Sequence, residues 1–284
     1  MKHSRIVLLL LTLLLAFQVQ ARPKVGLVFG GGGAKGAAEI GVLKYIERAG
    51  VPIDYIAGTS IGAIVGGLYA SGYKVATLDS LFRTEEWADL FSGSITGKQR
   101  IGDRLVEMLG NNDSISFDSL PIPFRCVAAD VTGSCEVVLS SGRLAQAIRA
   151  SMAIPGVFKP VVINGQALID GGMYNNLPVD VVRQMGADIV IAIDLTQKKH
   201  ATRNFSLKET LGIGGVLDWM VSRHDWKKYN ENREDADIYI NPDLKGFSTS
   251  DFSPKAIATM IALGEKAGKK ALEELTRLSG QVRL

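Results

Sequence analysis

The chain has 284 residues, enough for one large domain or two small ones, and its 46% hydrophobic content provides for a substantial core, so it reads as a globular protein. Its 32 lysines and arginines face 29 acidic residues. Setting Lys2 and Arg5 aside as part of a leader lowers the basic count to 30, a near-neutral balance that gives no support to a nucleic-acid partner.

Residues 1–21 read as an export signal: Lys2 and Arg5 form a basic start, Ile6 to Phe17 an apolar centre, and Val19-Gln20-Ala21 a small-residue cleavage site. The apolar centre is shorter than the ~20 residues of a spanning helix. An uncleaved anchor is the alternative, and no cysteine at the cleavage site points to lipid attachment. The expected location is the periplasm or the medium, with 22–284 as a single domain.

From Lys24 the pattern alternates strand, turn and helix, the rhythm of an α/β fold: a three-layer sandwich whose central, mostly parallel sheet is covered by helices. Val25 to Phe29 is the first strand. A helix from about Lys35 to Ala49 stops at Gly50, a strand runs to Ala57, and a second helix runs from Ile61 to near Gly72. Gly62, Ala63, Gly66, Gly67 and Ala70 let that helix lie close to the sheet. Later strands are expected at Phe124 to Asp130, Glu136 to Leu139, Val161 to Ile163, Ala167 to Ile169 and Ile189 to Asp194, with Asn164-Gly165 as a hairpin turn. The stretches 73–120 and 197–235 are polar with interspersed aromatics. They are either cap segments around a site or ordinary amphipathic helices on the core. Pro254 to Leu278 reads as a closing helix. With Thr132-Gly133 as a two-residue turn, Asp130 faces Cys135 and Cys126 faces Leu139, which separates the thiols; two buried free cysteines are expected.

Three segments carry chemistry. Gly30-Gly31-Gly32-Gly33-Ala34-Lys35-Gly36 follows the first strand and opens a helix, so backbone amides converge into a nest for negative charge. A Walker loop needs Gly-Lys followed by Ser or Thr, which is absent. The dinucleotide fingerprint needs an acid closing the second strand, and Asp54 opens that strand instead. An oxyanion hole remains. Gly58-Thr59-Ser60-Ile61-Gly62 places a serine between glycines where a strand turns sharply into a helix, the geometry of a nucleophile. Both loops leave the carboxyl edge of the sheet, where ligands bind in open α/β folds. Of the histidines, His3 leaves with the signal, while His200 and His224 sit in charged surroundings that read as solvated surface. Asp170, ending a strand before Gly171-Gly172, is the better base. With a reference pKa of ~3.9 it requires desolvation and a direct hydrogen bond from the serine.

In this order the three segments resemble the patatin-like phospholipase family, serine-aspartate lipid acyl hydrolases, including its exported bacterial forms. The resemblance runs from about Lys24 to Asp194. Ala150-Ser151-Met152-Ala153-Ile154-Pro155 and Asn175-Asn176-Leu177-Pro178 look similar too. It implies Ser60 as nucleophile, Asp170 as general base, and Gly31, Gly32 and Gly33 as amide donors, supported by Lys35, Gly36, Gly58, Gly62, Gly171 and Gly172. Many relatives carry arginine where Lys35 stands. The expected partner is a lipid ester substrate, cleaved through an acyl-enzyme with no cofactor and no metal. Peripheral membrane contact is expected near Trp87 and Trp219, with Arg223, Lys227 and Lys228 reaching anionic headgroups. A non-catalytic lipid-binding envelope protein of the same fold, and a histidine-triad hydrolase using His200 or His224, are the alternatives.

Overall fold

The computed structural model describes residues 22–91, 100–197 and 225–283. The expected export signal, the three histidines, Trp219 and Arg223 lie outside the described residues. Among the described residues eight strands form one mixed sheet in the order β5-β6-β3-β2-β1-β7-β8, with β4 paired to β3. At its centre β1 (Val25–Phe29) pairs in parallel with β2 (Tyr55–Thr59) and with β7 (Ile189–Ile193). The edge strand β8 (Ile238–Ile240) continues the parallel set beyond β7, and β3 (Phe124–Asp130) continues it beyond β2. Antiparallel pairing then joins β3 to β4 (Cys135–Leu139) and to β6 (Gln166–Asp170), and β6 to β5 (Val161–Ile163). Val25 to Phe29 is buried at every position, as a strand covered on both faces must be.

One face carries α1 (Ala37–Ala49), α2 (Ile61–Ala70), α3 (Val75–Thr84), α4 (Trp87–Phe91), α5 (Arg100–Leu109), α6 (Leu144–Ser151) and α9 (Pro254–Val282), whose buried residues form one hydrophobic cluster with Leu27, Phe29 and Ile56. On the other, α7 (Val179–Gln184) and α8 (Trp226–Asp235) cover Val28, Ala57 and Val127. This alternation along β1 makes the three layers. Ser253 caps α9 by accepting from Ala256 N, with Pro254 in its first turn. Helices α1 and α9 touch backbone to backbone: a Cβ at Gly264 would stand 1.9 Å from Ala38 O, and one at Gly41 2.1 Å from Ile261 O.

The expected strands are all present, and β8 is an addition, too short at three residues to show a period. The first helix is preceded by a 3₁₀ turn over Gly33–Gly36, and the last runs on to Val282. The cysteine hairpin has the expected register, Asp130 opposite Cys135 and Cys126 opposite Leu139, and both thiols are free. Cys135 is exposed, however, because it leaves the surface turn at 131–134 directly. Trp87 is 2% exposed, with its Nε1 donating to Phe82 O at 3.2 Å, so the core has claimed it and it is not a surface contact. Lys228 is likewise committed: its ammonium pairs with Glu136 and, at 2.9 Å, with Asp180. Asp54 sits at the amino end of β2, accepting from Val25 N and pairing with Arg22 and Lys24, far from any role behind the glycine loop.

Candidate active site

Strand β3 brings the two catalytic candidates together. Its one edge is occupied by β4 from Cys126 to Asp130, so β2 and β6 must share the other: β2 runs parallel along Phe124–Val127 and β6 antiparallel along Ala128–Asp130. Their carboxyl ends therefore meet head-on, Thr59 opposite Val127 and Asp170 opposite Ala128. Ser60 and Asp170, at or just past those ends, are neighbours although 110 residues separate them in sequence.

Ser60 has φ 57° and ψ −122°, a left-handed conformation that costs a non-glycine residue on the order of 1–3 kcal/mol. It heads α2, yet its side chain makes no cap bond to that helix, which leaves Oγ available. The turn is tight. A Cβ at Gly62 would stand 2.3 Å from Phe29 O, one at Gly58 2.3 Å from Gly62 O, and one at Gly171 2.4 Å from Val127 O. Asp170 is 2% exposed. Its Oδ1 accepts from Gly172 N at 2.8 Å, while Oδ2 lacks a hydrogen-bond partner of normal geometry. Burial pushes this carboxyl up to about 6, and the nearby Ser60 hydroxyl and the Gly172 N–H hold back a larger rise. The Ser60 hydroxyl is thus within reach of the carboxyl without a well-formed bond, which is usual before substrate arrives.

The glycine loop closes over this pair. A Cβ at Gly31 would lie 3.3 Å from the Ser60 Cβ and 2.3 Å from Asn176 Oδ1, while one at Gly36 would strike Ile61 at 2.3 Å. Gly31 N–H is donated to Asn176 O at 3.1 Å, and Asn176 Nδ2 returns a bond to Gly31 O at 3.1 Å. Ala34 N–H goes to Thr249 O. Among the described residues no acceptor takes Gly32 N–H or Gly33 N–H. Lys35 is half-buried at the start of the helical segment, and its own N–H bonds to Gly32 O. The segment after Asp170 also secures the strand that leads to Ser60, since Thr59 Oγ1 donates to Asn175 O at 2.8 Å. Asn175 and Asn176 were visible in the sequence only as part of a resemblance; nothing local tells which loop an asparagine will fasten.

Behind the loop lies a buried acid that the sequence did not flag. Glu39, in the first turn of α1, is 0% exposed and neither carboxyl oxygen has a hydrogen-bond partner. Burial raises its pKa well above the ordinary carboxylate value, the nearby Gly30 N–H opposes that rise, and the charge of Asp194 adds to it. Asp194 accepts from Tyr229 at 2.6 Å, from Tyr239 and from Thr196 N. A raised carboxyl pKa means that the folded state holds its proton while the unfolded chain releases it, so stability falls as pH climbs from the unfolded value towards the folded one. Glu39→Gln should therefore raise Tm at pH 7 to 8 and change it little near pH 4. Equal Tm differences at both pH values would show that Glu39 carries no such load.

A family profile described as Patatin-like phospholipase matches residues 27–183. The chain belongs to the patatin-like phospholipase family. It is 33% identical over 220 residues to Patatin-like phospholipase domain-containing protein 7 of Rattus norvegicus, covering 72% of this chain and 15% of that relative. To Lysophospholipase nte1 of Aspergillus niger it is 30% identical over 284 residues, covering 89% of this chain and 18% of the relative. The chain thus spans less than a fifth of either relative's length. VipD from Legionella pneumophila superposes with a TM-score of 0.56 at 15% identity, covering 89% of this chain and 67% of that one, a likeness of fold alone.

Proposed function

We propose that this patatin-like phospholipase is a lipid acyl hydrolase working through a Ser60–Asp170 dyad. The observation that carries the reading is the head-on meeting of β2 and β6, which sets a strained serine beside a buried carboxyl whose pKa lies near 6. Ser60 Oγ attacks the ester carbonyl carbon while Asp170 Oδ2 takes its proton. The carbonyl oxygen becomes an oxyanion, for which Gly32 and Gly33 N–H are the uncommitted donors, with Gly31 providing closeness. Collapse expels the alcohol, protonated by Asp170, and leaves an acyl group on Ser60. Water, deprotonated by the same carboxylate, then releases the fatty acid. The family match and the relatives named as phospholipase and lysophospholipase support a glycerophospholipid or lysophospholipid as substrate. Residues 1–21 support export as the setting.

The deciding experiment is a panel of phospholipids, lysophospholipids, triglycerides and soluble esters, assayed by fatty-acid release with trapping of the acylated protein by mass spectrometry. Release from at least one ester, with the acyl mass on the peptide carrying Ser60, is the expected result. Lipid binding without any acylated peptide would favour the non-catalytic envelope protein, and loss of activity on substituting His200 and His224 together would favour a histidine base.

A further inference from the structure

The motif that the proposed chemistry leaves without a task is Ala150-Ser151-Met152-Ala153, at the carboxyl end of α6. Ser151 is 0% exposed. Its hydroxyl donates to Val127 O at 2.6 Å and accepts from Ser60 N at 3.0 Å. Val127 is the last β3 residue opposite β2, and Ser60 is the first residue past that pairing. Because Ser60 turns away into its left-handed conformation, the Ser151 hydroxyl stands between the two backbones as an inserted rung of the ladder. Two residues on, Ala153 O accepts from Asp170 N at 3.0 Å. One short segment thus holds the backbone of both members of the dyad. It is itself held: Asp113, 2% exposed, accepts from Ala145 N at 2.7 Å and from Arg143, pinning the start of α6, and Ala153 N bonds back to Ala150 O.

We propose that Ser151 is a positioning residue for the nucleophile, its hydroxyl fixing the Ser60 backbone at the distance from Asp170 that Ala153 fixes from the other side. This rests on the Ser60–Asp170 reading above. It also bears on the oxyanion hole, since the N–H of the nucleophile itself is spent on Ser151 and the donors must come from the glycine loop. Replacing Ser151 leaves the attacking oxygen, the base and the donors all present. What changes is their alignment, for which a displacement of about 1 Å costs on the order of 10²-fold in rate.

The test compares wild type, Ser151→Ala, Ser151→Thr and Ser151→Cys on a soluble ester such as p-nitrophenyl butyrate, with rates normalised to the sites that fluorophosphonate labels at completion. For Ser151→Ala the expected result is a fall in kcat of about 10²-fold with KM within about twofold. The acid limb of the kcat/KM profile should also move to higher pH, because a displaced Ser60 hydroxyl no longer helps to lower the Asp170 carboxyl. Ser151→Thr, which keeps the hydroxyl, should recover most of the rate. If its extra methyl prevents folding, Ser151→Cys serves in its place and should lie between alanine and wild type. A Ser151→Ala enzyme whose normalised kcat stays within about threefold of wild type, or whose loss leaves the acid limb unmoved, overturns the proposal and makes Ser151 a purely structural partner. Ser60→Ala in the same assay separates the two ideas: if it retains activity the dyad itself fails, and if it is dead beside a normal Ser151→Ala only the positioning role does.

Discussion

Replacing Ser60 with alanine is expected to remove ester hydrolysis by at least about 10⁴-fold and to abolish covalent labelling by fluorophosphonates, while the protein stays folded. The reason is chemical: one oxygen is lost, and among the described residues no other free hydroxyl stands at the head of α2. Alanine inherits the same left-handed backbone, so its stability should resemble that of wild type. Glycine accepts φ 57° without strain, and Ser60→Gly should be equally inactive yet more stable, by roughly 1 kcal/mol. Thermal unfolding and active-site labelling of the two variants check both halves of the statement. An alanine variant that still turns over ester at the wild-type rate would remove Ser60 from the chemistry.

For Asp170→Asn the expected loss in turnover is about 10²- to 10⁴-fold, the usual span for a positioned general base. The wild-type profile carries the sign. Below about pH 6 Asp170 holds a proton and is unable to accept one from Ser60, so log kcat/KM should rise with pH up to about 6 and level off above it. Stability runs the other way. The carboxyl's folded value is raised from 3.8 to about 6, so the folded state is favoured at low pH and loses about 3 kcal/mol as pH climbs through that window. Asp170→Asn should therefore be more stable than wild type at pH 7 and indistinguishable near pH 3. Retained turnover in the asparagine variant, or an acid limb unaffected by it, would dismiss Asp170 as the base.

What sequence reveals here divides by range. The strand of Val25–Phe29, the serine turn and the Asp-Gly-Gly end of β6 are local patterns, set by apolar runs and by glycines at fixed offsets, and each was readable. The β3–β4 register was readable too from a turn centred on Thr132-Gly133, although the turn that forms spans 131–134. By contrast, the sharing of one β3 edge by β2 and β6 follows from three separate pairings spread between residues 56 and 170, and no window of sequence contains them. The bonds from Ser60 N to Ser151 and from Asn176 to Gly31 span 91 and 145 residues. Glu39 escaped notice for another reason: a glutamate in the first turn of a helix looks like an ordinary favourable charge, and only burial shows otherwise.

Since β2 and β6 end opposite consecutive residues of β3, Val127 and Ala128, the offset between Thr59 and Asp170 along the sheet is a single backbone step of roughly 3.3 Å. That ruler is made of closely packed backbone, so a Cβ at Gly58, Gly62 or Gly171, standing 2.3 to 2.4 Å from a neighbouring carbonyl oxygen, would disturb it. Inserting one residue between Val127 and Ala128, or deleting either of them, would shift the two ends relative to each other and turn neighbouring side chains to opposite faces. A strand whose neighbouring residues set both ends of the site is thus expected to resist any one-residue change in its length.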